Sequence, residues 1–133
     1  MTNPTDPLDP STRRVIPTAD TALRPYDRYG RVNPALSWLP LSAVESKGYE
    51  CFLIKFGPGG ASTPHEHTGG EEFLVLDGEL EDSDGTVFRA GDFVSYRPGS
   101  RHWSRSPQGC TLLAILLGRN EALVSEEGDR DDG

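Results

Sequence analysis

The chain of 133 residues contains three histidines, two cysteines and one methionine, and each scarcity narrows what it can be. Cys51 and Cys110 are too few and too far apart to suggest a disulfide framework, so both read as small core residues kept reduced. Long apolar runs are also missing. The longest, Leu112 to Leu117, suits a buried strand and falls far short of the roughly 18 residues that cross a bilayer. The N-terminal stretch MTNPTDPLDPSTRR has no basic region followed by an apolar one, so it does not read as a secretory signal, and a cytoplasmic protein with no membrane partner is expected. Positive charge is in short supply: 13 basic against 21 acidic side chains give a net charge of −8. A binder of phosphate backbones needs a positive face, so no nucleic-acid partner is expected.

What the chain has instead is turns. Fifteen glycines and eleven prolines suit many short antiparallel strands. Residues 1–20 carry Pro4, Pro7, Pro10 and Pro17 among polar residues and read as an extended arm. Residues 21–120 read as one all-β domain. Residues 121–133 hold six acids and one base and read as an acidic tail, disordered beyond Val124, whose plain role is solvation. Within the domain, strand-like runs recur at Leu36–Leu41, Cys51–Phe56, Glu72–Leu76, Thr86–Phe88, Asp92–Tyr96 and Thr111–Leu117. Glycine-containing turn signals separate them, among them Asp77-Gly78 and Arg89-Ala90-Gly91. Spacings near ten residues predict a sandwich or barrel, and no segment shows an apolar helical period of useful length.

The segment Thr63-Pro64-His65-Glu66-His67 sets two imidazoles at i and i+2, which project to one face of a strand and can reach one ion. A Thr68-Gly69-Gly70 turn follows, and Glu71 opens the next strand with a carboxylate able to swing back. The third histidine, His102, follows Pro98-Gly99-Ser100-Arg101. Three imidazoles and one carboxylate without a thiolate suit Fe(II), Zn, Ni or Mn and argue against Cu(I) or an iron–sulfur cluster.

The pattern Gly59-x5-His65-x-His67-x3-Glu71-x6-Gly78, followed by Gly91-x6-Pro98-Gly99-x2-His102, resembles the two motifs of the cupin superfamily. The second departs in its adjacent Pro-Gly and in Ser106, where Asn is often found. The phrasing from His65 to Gly78, with Gly109-Cys110-Thr111-Leu112-Leu113, is similar to the ChrR-type cupin subfamily, which includes the cupin half of zinc-binding anti-sigma factors and lies close to acetylacetone-cleaving dioxygenases. The resemblance covers roughly residues 35 to 118. It implies a single-domain jelly-roll β-barrel holding one divalent metal per chain on His65, His67, Glu71 and His102, and a homodimer that covers edge strands. Glu72 competes for the carboxylate role, since gaps of three and four occur in the family, and the spacing to Gly78 favours Glu71.

Two functions follow from the resemblance. The first is a dioxygenase-like oxidoreductase, with Fe(II) or Zn as the leading metals, that cleaves a small diketone or enol and uses Glu71 as a catalytic base. The second is a ligand-responsive or structural zinc module without catalysis, although the helical sigma-binding part of such factors has no counterpart here. Strand parity places Thr63, Phe73, Val75, Ser100 and Ser104 inside the barrel, a small and weakly polar interior suited to a small organic molecule. The same parity turns Glu66, Glu72, Leu74 and Leu76 outward. Trp103 is expected between the sheets, and Tyr96, Arg97 and Arg101 at the surface near the mouth.

Overall fold

The computed structural model describes residues 3–123, and the tail expected beyond Val124 lies outside the described residues. Among them there is no α-helix, only short 3-10 turns at Pro10–Thr12, Thr18–Asp20 and Glu45–Lys47. Twelve strands carry the fold: β1 (Arg24–Tyr26), β2 (Asn33–Val44), β3 (Tyr49–Phe56), β4 (Gly60–Ala61), β5 (His65–His67), β6 (Glu71–Asp82), β7 (Val87–Arg89), β8 (Phe93–Tyr96), β9 (Ser100–His102), β10 (Ser104–Ser106), β11 (Cys110–Leu117) and β12 (Asn120–Ala122). Nine of them form one curled sheet in the order β1-β2-β3-β11-β6-β10-β4, with β7 and β8 also pairing to β6, while β12-β5-β9 form a small second sheet. This is the jelly-roll architecture expected from the sequence.

Alternation builds the interior. In β3, Phe52, Ile54 and Phe56 are buried, and in β11 Cys110, Leu112, Ala114 and Leu116 are buried, so two central strands turn one apolar face inward. β1 and β2 close one side with Tyr26, Leu36 and Leu39. Cys110 is a core residue as expected, whereas Cys51 is only half-buried.

β6 spans both halves of the curl. Its first half pairs with β11 on one side and β8 on the other, and its second half pairs with β7 and β10. The corner falls at Asp77-Gly78, which the sequence suggested as a turn separating two strands. The strand continues through it because the pairing with β11 skips Leu76, which leaves a bulge, and Gly78 takes φ +77. A Cβ at Gly78 would lie 2.2 Å from the Gly109 carbonyl oxygen, so only glycine lets β11 approach the bend.

Two further expectations change. Trp103 is not packed between sheets: it sits between β9 and β10 with 40% of its surface exposed. Glu121 and Ala122, assigned to the tail, form β12 with Asn120, and the Leu123 N–H still donates to the Pro64 carbonyl. From Asn3 to Asp20 every residue but the half-buried Ile16 is exposed, and the arm lies against the barrel where the Arg14 guanidinium donates to the Leu41 carbonyl of β2.

Candidate metal centre

The three-residue alternation of β5 turns His65 and His67 inward and leaves Glu66 outside. β9 runs antiparallel beside it, with His65 opposite His102 and His67 opposite Ser100, and β12 flanks the other edge, with Asn120 opposite His67. The Thr68–Gly70 turn then carries the chain into β6. Gly69 passes so near the end of β11 that a Cβ would meet the Leu117 carbonyl at 2.2 Å. This tight passage sets Glu71 at the first position of β6, buried, with Oε1 2.7 Å from His67 Nε2. The structure thus brings together all four residues singled out in the sequence, and their ligand atoms lie within 4.8 Å of one another.

Each imidazole is anchored from behind through Nδ1. His65 Nδ1 lies 2.6 Å from the Thr63 carbonyl, His67 Nδ1 2.9 Å from Ser100 Oγ, and His102 Nδ1 2.7 Å from Asp82 Oδ1. A carbonyl and a carboxylate only accept, so the partners assign the Nδ1 proton to His65 and His102 and leave the Nε2 lone pairs for the interior. The Nε2 atoms of His65 and His67 are 2.9 Å apart, and the three ring centroids stand 4.7–4.8 Å from one another. Burial, the main cause, pushes the His65 pKa down to about 4, which keeps that ring in the neutral form that ligates metals. Nitrogen donors held this way, beside a buried carboxylate and with no thiolate, fit a divalent ion of intermediate hardness.

Asp82 was not found in the sequence. Its carboxylate accepts from His102 and, at 2.6 Å, from the Tyr96 hydroxyl. Desolvation raises its pKa, but the hydrogen bonds from His102 and Tyr96 outweigh burial and hold it below the usual value. Tyr96 itself corrects the surface assignment. It is half-buried, with its ring centroid 4.4 Å from that of His102, and burial followed by the Asp82 charge raises its pKa, so the phenol stays a donor. Arg97 and Arg101 are exposed as expected, and Arg101 Nε bonds Glu66 at 2.9 Å on the outer face.

Beside His65, Glu71 and His102 lies a cavity of about 40 Å³. That is space for roughly three waters. Leu36, Phe52, Ile54, Phe56, Phe73, Leu80 and Leu112 make its apolar wall, and Tyr29, Ser62, Ser104 and Asn120 add polar groups. Of the residues expected inside, Phe73 and Ser104 line the cavity and Val75 is buried in the core. Ser100 and Thr63 instead brace His67 and His65.

Residues 17–119 match the ChrR cupin-like domain family. No curated protein matches the chain. Among solved structures, the chain is similar to an acetylacetone dioxygenase from Acinetobacter johnsonii, with 15% identity and a TM-score of 0.74 over 97% of this chain and 87% of that one. It is also similar to a candidate acetylacetone dioxygenase from Methylibium petroleiphilum PM1, with 16% identity and a TM-score of 0.73 over 88% and 84%. A third neighbour is the polyketide cyclase RemF from Streptomyces resistomycificus, with 20% identity and a TM-score of 0.66 over 86% and 87%. At these identities the likeness is one of fold, and the same fold carries different reactions.

Proposed function

Because the chain belongs to the ChrR cupin-like domain family, we propose that it is a metal-dependent oxygenase acting on a small chelating organic molecule of the 1,3-dicarbonyl or enol class, with one divalent ion held by His65, His67, Glu71 and His102. The observation that carries this reading is the mainly apolar cavity bordering three of the four donors. A bound divalent ion would supply Lewis acidity and, as iron(II), electrons for dioxygen chemistry. The residues of the chain do the rest. The wall around Phe52, Phe73 and Leu112 takes the carbon skeleton and excludes water. Glu71, giving up its place as a ligand to the chelating substrate, accepts the proton lost from the acidic carbon between two carbonyls, which leaves an enolate and a neutral carboxyl. Asp82 and Tyr96 keep His102 turned toward the cavity. The acetylacetone dioxygenase among the structural neighbours supports this substrate class.

A second reading rests on the donor count. Three histidines and one carboxylate can close the tetrahedral shell of zinc, as a structural or ligand-responsive module would require. The cavity favours the first reading, since a closed structural site needs no adjoining space.

The test is metal analysis combined with oxygen uptake. Purified protein should hold about one divalent ion per chain. His65→Ala and His102→Ala should lose it, and Glu71→Gln should weaken binding more than Glu72→Gln, because Glu72 lies on the outer face and accepts from Ser95. Iron(II)-loaded protein should consume oxygen with members of a diketone and enol panel. Inertness across the panel together with stoichiometric zinc would establish the second reading.

A further inference from the structure

We propose that Tyr29 and Asn120 form a hydrogen-bonding subsite of the metal-side cavity that selects chelating carbonyl compounds bearing an amide N–H or hydroxyl beside the chelating oxygens. The inference rests on the proposed oxygenase reading and deepens its substrate class. Tyr29 Oη and Asn120 Oδ1 are both shielded from solvent and make no hydrogen bond of proper geometry, and both residues line the cavity. Burying a polar atom unpaired is costly, and native interiors rarely leave one so without a reason.

Two other hydroxyls inside the barrel are bonded within the fold. Ser62 Oγ accepts from the Ser104 N–H at 3.0 Å, and Ser106 Oγ donates to the Glu79 carbonyl at 2.6 Å. Arg28 Nη2 is also unpaired, but that guanidinium is held through Nε by Tyr26 and through Nη1 by Glu50. Tyr29 and Asn120 therefore stand apart, and they stand beside the metal ligands. The Tyr29 ring stacks on His65 with centroids 6.2 Å apart, and Asn120 faces His67 across the β5–β12 pair.

Tyr26 and Asn120 approach the Tyr29 hydroxyl, yet neither makes a hydrogen bond of proper geometry with it. A phenol hydroxyl can donate, and an amide oxygen such as Asn120 Oδ1 accepts. A complementary ligand presents an acceptor oxygen and a donor side by side. A carboxamide or a hydroxyl next to a carbonyl does so, whereas the methyl ends of a plain diketone do not.

Acetylacetone and acetoacetamide differ by a methyl group in place of an amino group, and both present two oxygens for chelation. Their affinities for the full chain loaded with cobalt(II) can be read anaerobically, by calorimetry and by the visible cobalt bands. The ratio of acetoacetamide to acetylacetone affinity should fall about tenfold in Asn120→Leu and in Tyr29→Phe relative to wild type. Tyr29→Phe removes a single oxygen atom, so the comparison survives if Asn120→Leu fails to fold. An unchanged ratio in the variants, with both compounds still shifting the cobalt bands, would overturn the subsite and leave the oxygenase reading standing. Failure of both compounds to perturb the cobalt bands in wild type would overturn both.

Discussion

One carboxylate oxygen of Asp82 holds His102 Nδ1 and the other takes the Tyr96 hydroxyl, so the orientation of a proposed metal ligand hangs on a residue that is not itself a donor to the ion. Removing such a partner costs metal affinity by loosening the ring and lowering its basicity. Asp82→Ala should therefore weaken metal binding about 10- to 100-fold in a competition titration with a chromophoric chelator. Asp82→Asn, which can still accept from His102, should weaken it less. Wild-type affinity in Asp82→Ala would remove this role. His65 and His67 were legible in the sequence from i and i+2 alternation, whereas the choice of Glu71 over Glu72 and the part of His102 came from the resemblance of the two motifs. Asp82 was hidden by parity. Counting alternation from Glu71 turns odd positions inward, and Phe73 and Val75 obey it, but beyond the bulge at Leu76 the even positions Leu80 and Asp82 face in. Tyr29 and Asn120 were hidden for another reason, since nothing local says that residues 91 positions apart in the chain will border one cavity.

At the scale of elements, the same bulge explains why β6 was read as ending at Leu76. Asp-Gly is a strong turn signal, and here it marks a corner at which one strand passes from one set of partners to another. The two uses of glycine can be separated by experiment. Gly78 and Gly91 both have positive φ, but a Cβ at Gly91 would meet nothing within 4 Å, whereas one at Gly78 would strike the Gly109 carbonyl at 2.2 Å and Cys110 Cα at 2.8 Å. Gly91→Ala should cost the left-handed backbone alone, about 1–2 kcal/mol in chemical denaturation. Gly78→Ala adds a backbone collision that β11 must yield to, and should cost at least about 3 kcal/mol. It should also weaken metal binding, because Asp82 reaches His102 only if the corner is kept. Equal losses for the two variants would show that the corner tolerates a side chain. β12 escaped detection because three residues, Asn120, Glu121 and Ala122, carry no apolar alternation, and their strand state comes from pairing with β5.

For the molecule as a whole, composition set the class correctly while hiding how charge and burial are divided. Residues 21–120 hold twelve acids and ten bases, so the −8 of the full chain comes largely from the ends. Inside the barrel the balance is different: a neutral His65 with 6% of its surface exposed sits in a fold that must stay closed around it. Its pKa of about 4 lies below the ordinary value of 6.5, so the unfolded chain binds a proton more readily than the folded one between those values. Stability of the metal-free protein should therefore be complete above pH 6.5 and fall as the pH drops toward 4, by up to about 3 kcal/mol from this one residue. Asp82, whose folded pKa is lowered from 3.8, adds a further loss only as the pH falls below that value. Denaturant titrations in the presence of a chelator at steps from pH 7.5 to 4 would trace the decline, and His65→Gln should flatten it selectively because glutamine does not titrate. A wild-type profile that is level across this window, or a His65→Gln profile as steep as wild type, would mean that His65 is solvated or charged in the folded chain, and the donor geometry built around its Nδ1 proton would fall with it.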